Sequence, residues 1–261
     1  MFEKIKTRIK TAGRNIVYDA MRKFYIDNDI IPVFKASPPV PGNSSEAASK
    51  LRPVDLGYFS NNYGPPIDNA KLANCKVVAD RYAALPYMPK NAVCAEIGIA
   101  YGDFSQEIIN AMQPKELFLF DVYTEKPGGA EWWGQKRLAE SGLIHEEFIK
   151  NRFAKYGNVF TKKGKSWEAL QRFPDDYFDY VYVDGNHTYG GVKQDIAALK
   201  KKVKNGGIIA FNDYTYFGIY AGSEYGVLRA VNEFLAEGNH EVVMYCLRVN
   251  KMDDIIIKLA K

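Results

Sequence analysis

From residue 67 onward, short apolar runs alternate with longer stretches whose apolar positions recur three and four residues apart. That alternation of strand and helix periods builds a mostly parallel sheet. The runs Leu117-Phe118-Leu119-Phe120, Tyr180-Val181-Tyr182-Val183 and Ile208-Ile209-Ala210-Phe211 lack polar alternation, as strands covered on both faces do. The pattern predicts a helix at 67–85, a strand at 92–97, a helix at 103–112 and a strand at 116–121. A helix at 143–155, a strand at 158–161 and a helix near 166–172 follow, then a strand at 178–183 and a helix at 189–203. The series closes with a strand at 207–211, a helix at 225–236 and two strands near 240–247 and 253–259. The expected fold is α/β, with seven strands and helices on both faces of the sheet.

The first 66 residues read differently. Residues 2–26 are amphipathic and locally basic, with Ile5, Ile9, Ile16, Val17 and Met21 among Lys4, Lys6, Arg8, Lys10 and Arg14. A helix is expected there, packed on its own domain or a second subunit, with weak contact to an anionic membrane surface as the minor alternative. Seven prolines between Pro32 and Pro66 forbid a long helix or strand across 31–66, which is expected as a linker or a lid. Two domains follow: 1–66, the basic helix and Pro-rich lid, and 67–261, the catalytic domain. With 261 residues and 47% apolar content, the chain can bury a core of ordinary size. The three cysteines, Cys75, Cys94 and Cys246, have no metal-ligand spacing and suit a reducing, cytoplasmic setting. No apolar run reaches the roughly 20 residues of a membrane span. A net charge of +4 spread along the chain gives no reason to expect nucleic acid. A homo-oligomer acting on a small molecule or glycan is the expected setting.

In an open parallel sheet, ligands sit beyond the carboxyl ends of the strands, so the residues after each strand carry the chemistry. The first such loop contains Gly98 and Gly102, and the helix that follows, near Asp103 to Ser105, presents free N–H groups. The spacing Glu96-x-Gly98-x-x-x-Gly102 departs from the G-x-G-x-x-G of dinucleotide sites, which argues against NAD. Asp121 ends the second strand, about twenty residues on, where a carboxylate can accept ribose hydroxyls. Asp184 closes the fourth strand and Asn212-Asp213 the fifth, so three oxygen donors face one point, a set that suits Mg²⁺. His187, three residues after Asp184, is the expected general base, since an imidazole accepts a proton at neutral pH without tuning. His145 and His240 are expected to be structural.

Glu96-Ile-Gly-Ile-Ala-Tyr-Gly102 followed by Leu119-Phe-Asp121 resembles the first two motifs of class I S-adenosylmethionine (SAM)-dependent methyltransferases, whose sheet is Rossmann-like. Lys163-Gly-Lys-Ser166, Asp184-Gly-Asn-His187-Thr-Tyr189, Asp195 and Gly206 to Tyr214 resemble the bacterial branch that includes the macrolide-sugar O-methyltransferases. The resemblance spans roughly residues 75–247. It implies that Glu96 and the backbone of Gly98 hold the amino-acid end of SAM, with Gly102 and Ser105 in the same loop. Asp121 would bind the ribose, and Ser166 and Trp167 would border the adenine. Asp184 would face the cofactor and, with Asn212 and Asp213, hold the metal, while His187 is the base. The position of Asn212 is usually a carboxylate in that branch. The expected activity is Mg-assisted methylation of a hydroxyl on a sugar or sugar-containing molecule. The alternatives are a metal-independent methyltransferase with another acceptor, another enzyme class on the same sheet, and a non-catalytic SAM- or nucleotide-binding protein.

Overall fold

The computed structural model describes residues 62–124, 135–218, 221–248 and 252–261, all within one unit, Asp55–Lys261. The expected basic helix and nearly all of the Pro-rich lid lie outside the described residues. Ten strands and seven α-helices are present among the described residues. The strands are β1 (Lys76–Val78), β2 (Val93–Ile97), β3 (Glu116–Asp121), β4 (Val159–Lys163), β5 (Phe178–Val183), β6 (Val203–Phe211), β7 (Phe217–Gly218), β8 (Ser223–Glu224), β9 (Glu241–Cys246) and β10 (Asp254–Lys258). The helices are α1 (Arg81–Ala84), α2 (Asp103–Met112), α3 (Gln135–Ser141), α4 (His145–Phe153), α5 (Ser166–Ala169), α6 (Tyr189–Lys202) and α7 (Val227–Glu237).

Eight strands form one sheet in the order β1-β9-β10-β6-β5-β2-β3-β4, and β7 pairs with β8 as a separate hairpin. Only β10 runs against its neighbours in the large sheet. This is a Rossmann-like α/β fold. From β2 the chain winds outward through β3 to β4, then returns to β5 on the other side, so the order reverses between β2 and β5. That reversal opens a crevice at the carboxyl ends of these two strands.

Strand pleating sorts the core onto two faces. On β5, Val181 and Val183 join one cluster with Val192 and Ile196 of α6 and Val231 and Phe234 of α7. Tyr180 and Tyr182 point the other way, onto a cluster with Phe104 and Ile108 of α2 and Ile149 and Phe153 of α4. Helix α7 buries Val227, Ala230, Val231, Phe234 and Leu235, a single stripe at helical spacing.

The sequence pattern predicts seven strands, and the sheet has eight. The difference lies in the predicted helix 67–85. That stretch is a 3-10 turn at Asn69–Leu72, then β1, then α1, then a 3-10 turn at Leu85–Tyr87. Asp68 and Asp80 each cap a separate start, accepting from Ala70 N and Ala83 N at 2.9 and 2.8 Å. Between them Val77 and Val78 pair in parallel with Tyr245 and Cys246 of β9. The 143–155 prediction holds in α4, and β6 begins four residues before its predicted start.

Candidate active site

The loop after β2 is shaped by left-handed backbone at Gly98 (φ 79°), Ala100 (φ 44°) and Gly102 (φ 76°). A Cβ on Gly98 would stand 2.1 Å from the carbonyl oxygen of Asp184, so glycine is what lets β2 and β5 close at their ends. Backbone bonds join the strand ends there, from Asp184 N to Ile97 O at 2.7 Å and from Gly98 N to Phe120 O at 2.8 Å. Asp121, at the end of β3, accepts from Ile99 N at 3.0 Å and from Tyr123 N at 2.8 Å. Each of its oxygens keeps a lone pair, enough for two further donors. Its position thus fits the two hydroxyls of a ribose.

Glu96 and Ser105 lie beneath this loop. Glu96 is 2% exposed and accepts from Ser105 Oγ at 2.5 Å. Burial pushes its carboxyl up to about 8, against the lowering effects of the Ser105 hydrogen bond and the nearby Arg81. Ser166 and Trp167 open α5, the helix that follows β4. Ser166 is buried and its hydroxyl donates to Asp195, whose other oxygen is buried without a hydrogen bond. Trp167 is partly buried against the core. His145, expected to be structural, starts α4 and places Nε2 against the carbonyl of Ala100 in the glycine loop. His240 does stand apart, stacked on Phe234 and accepting from Ala260 N.

The second group of expected residues converges at the ends of β5 and β6. Ligand atoms of Asp184, His187 and Asp213 all lie within 4.8 Å of one another. His187 Nε2 is 3.5 Å from Asp184 Oδ1 and 3.5 Å from Asp213 Oδ2. Its ring stacks on Tyr225, with centroids 4.6 Å apart and planes at 16°. Burial lowers the imidazole pKa, but the contact and charge of Asp184, with the charge of Asp213, outweigh it and leave the pKa raised. Asp213 sits in left-handed backbone (φ 52°), and burial together with the Asp184 charge raises its carboxyl to about 6.

Asn212 meets this cluster through its nitrogen. Its Nδ2 donates to Asp184 Oδ1 at 2.8 Å. Its Oδ1 accepts from Arg248 at 3.1 Å and Arg81 at 3.3 Å, and lies 3.0 Å from Tyr182 OH, whose one proton is shared between Asn212 and Asp254. The amide oxygen is thus surrounded by donors, and the oxygen and nitrogen atoms turned to a common centre belong to Asp184, His187 and Asp213. As a donor set, two carboxylates and an imidazole suit a divalent cation.

Arg81, Arg248, Tyr182 and Asp254 were missed by sequence reasoning. Arg81 reaches Tyr182 OH at 2.8 Å and Asp184 Oδ2 at 3.4 Å, and Arg248 lies 3.8 Å from Asp213 Oδ1. Asp254, at the start of β10, accepts from Tyr182 OH at 2.9 Å, and burial raises its carboxyl to about 7. An arginine at a helix start and another past a strand end carry no motif. A separate cleft of about 380 Å³ lies by the starts of β5 and β6, but its charged groups, Asp179 and Lys204, pair with each other at 2.6 Å.

A family model described as a methyltransferase domain matches residues 95–214, just under half the chain. The match runs from β2 to the residue after Asp213 and so takes in both groups of site residues. No curated protein matches the chain. Among solved structures, precorrin-6y C5,15-methyltransferase from Geobacter metallireducens GS-15 is 19% identical with a TM-score of 0.47, covering 69% of this chain and 87% of its own. The tRNA methyltransferase TrmK of B. subtilis is 12% identical with a TM-score of 0.47, covering 70% and 67%. A protein from Corynebacterium glutamicum is 13% identical with a TM-score of 0.49, covering 94% and 97%. No helix among the described residues is long and apolar enough to cross a membrane. The match of residues 95–214 to a methyltransferase domain supports a SAM-dependent methyltransferase activity.

Proposed function

We propose that the acceptor group is a hydroxyl of a sugar or sugar-containing small molecule, and that His187 takes its proton during methyl transfer. The observation that carries this reading is the placement of His187 Nε2 between Asp184 and Asp213, at the carboxyl ends of β5 and β6. Bound SAM supplies a sulfonium methyl group, whose transfer to oxygen leaves a neutral thioether. A hydroxyl is a weak nucleophile at neutral pH and needs a base within reach. Asp184 and Asp213 favour the protonated imidazole, so the proton has a stable destination as the O–C bond forms. Tyr225, stacked on the ring, holds its plane. Tyr216, Phe217 and Tyr225, near this cluster in sequence, are of the residue type that stacks on sugars.

For the cofactor, Asp121 would accept the ribose hydroxyls, while Glu96, Gly98, Gly102 and Ser105 would shape the amino-acid end. Ser166 and Trp167 would border the adenine, and Asp184 would face the methionine chain. A divalent cation would be held by Asp184 and Asp213 through the oxygens turned toward His187. When bound, Mg²⁺ would lower the pKa of the acceptor hydroxyl. Asn212, whose Nδ2 donates to Asp184 Oδ1, would hold that carboxylate in place beside the cation.

A second reading has its own support. Arg81 and Arg248 already neutralise part of the carboxylate charge, which favours a His187 that works without metal. One assay separates the two: transfer of labelled methyl from SAM into a small-molecule and glycan fraction, with added Mg²⁺ or after EDTA. Loss of transfer with EDTA and recovery with Mg²⁺ supports the metal. Full transfer after EDTA leaves His187 acting alone, and full transfer by H187A rejects the base.

A further inference from the structure

The strand-end site contains more fixed charge than the proton transfer uses. Three carboxylates, Asp184, Asp213 and Asp254, share the space with two guanidiniums, Arg81 and Arg248. A carboxylate free at both oxygens turns about its terminal bond with little preference. Here each of the two reacting carboxylates has one oxygen against an arginine and the other against His187. Arg81 NH1 stands 3.4 Å from Asp184 Oδ2, while Asp184 Oδ1 faces the imidazole at 3.5 Å. Arg248 NH1 stands 3.8 Å from Asp213 Oδ1, while Asp213 Oδ2 faces the imidazole at 3.5 Å.

The two arginines meet on one atom, the amide oxygen of Asn212, at 3.3 and 3.1 Å. With donors on its oxygen and the Asp184 carboxylate on its nitrogen, the amide has one satisfactory orientation. Each guanidinium is also held from outside. Arg81 follows Asp80, which caps α1, and lies over the Phe104 ring at 4.6 Å. Arg248 lies 3.7 Å from Asp254, which is itself anchored by Tyr182 OH.

We infer that Arg81 and Arg248 are positioning residues: meeting on the Asn212 amide oxygen, they turn one oxygen of Asp184 and one oxygen of Asp213 toward His187. The inference rests on the reading of Asp184, His187 and Asp213 as the reacting cluster. It gives the arginines a role opposite in sign to their charge. As charges alone they repel a cation at this site; as clamps they gather the ligands that would bind one.

That opposition supplies the test. Mn²⁺ alone is titrated into the wild-type protein, R81Q and R248Q by electron paramagnetic resonance, with circular dichroism to follow folding. Loss of a nearby positive charge alone tightens Mn²⁺ binding. Loss of a clamp weakens it, and the expected result is at least tenfold weaker binding in both variants. Unchanged or tighter binding in either variant overturns the joint role. If the wild-type protein binds no Mn²⁺, the metal part of the functional reading fails, and the inference is decided by a second measurement. The ring-nitrogen resonances of His187, assigned through H187N, are compared in R81K and R248K, which keep the charge. Displaced resonances support the inference, and unchanged ones overturn it. The same pair of Lys variants decides it if either Gln variant does not fold.

Discussion

Replacing Glu96 by glutamine (E96Q) is predicted to make the protein more stable at pH 8 than the wild type and to leave the two similar near pH 5. Glu96 is 2% exposed, and its folded-state pKa is about 8 against 4.5 for an ordinary glutamate, with burial as the main cause. Between those values the folded carboxyl keeps a proton that the unfolded chain has lost. Stability therefore falls as pH rises across that window, because the folded state binds more protons there. At about 1.4 kcal/mol per pH unit, the loss from this one group approaches about 5 kcal/mol as an upper bound. The amide introduced by E96Q has no proton to lose, occupies nearly the same volume and can still accept from Ser105. Asp195, Asp213 and Asp254 also have raised pKa values, but they are present in both proteins and largely cancel in the difference. Urea unfolding of both proteins at half-unit steps from pH 5 to 8.5 gives the difference directly. It should grow with pH and level off above 8. A difference that does not change with pH, or an E96Q protein less stable than the wild type at pH 8, refutes the account of a buried, protonated Glu96.

Further outcomes follow from the same geometry. Gly98→Ala places a methyl group 2.1 Å from a backbone oxygen on left-handed backbone, and it should lower the melting temperature and abolish SAM binding by calorimetry. Asp121→Asn keeps the shape but removes the charge that strengthens hydrogen bonds to ribose, so SAM affinity should fall about 10- to 100-fold, equivalent to roughly 1.5–3 kcal/mol. Tyr225→Leu removes the ring stacked on His187 and should reduce turnover more than it changes the KM for SAM in a steady-state assay. Asp80→Ala should destabilise by about 0.5–2 kcal/mol through loss of the α1 cap, measured by urea unfolding.

The sheet was legible in the sequence because its interior strands are unbroken apolar runs, and the run at Tyr180–Val183 has its faces filled alternately by tyrosine and valine. The strand-end loop was legible too, since left-handed backbone at Gly98 and Gly102 needs glycine. What failed was the segment before β2. Its apolar positions fit one helix, yet two aspartate caps and the Val77-Val78 pair divide it, and β1 forms only because β9 offers a free edge. Such tertiary pairing leaves no local mark. The convergence of Asp184, His187 and Asp213 was legible from their places at or just after strand ends, whereas the orientation of Asn212 was not. An amide carries both a donor and an acceptor, and which end faces the centre is decided by Arg81, Arg248 and Tyr182, which come from distant parts of the chain.

The central claim is that this methyltransferase modifies a hydroxyl and that His187 receives its proton. It is tested most directly by supplying SAM with an isotopically labelled methyl group to the wild-type protein and H187A, each with the same small-molecule and glycan extract. The account predicts label in O-methyl ethers for the wild type, identified by carbon NMR of the products, and little or none for H187A. Label found on nitrogen or carbon, or equal O-methylation by H187A, contradicts it.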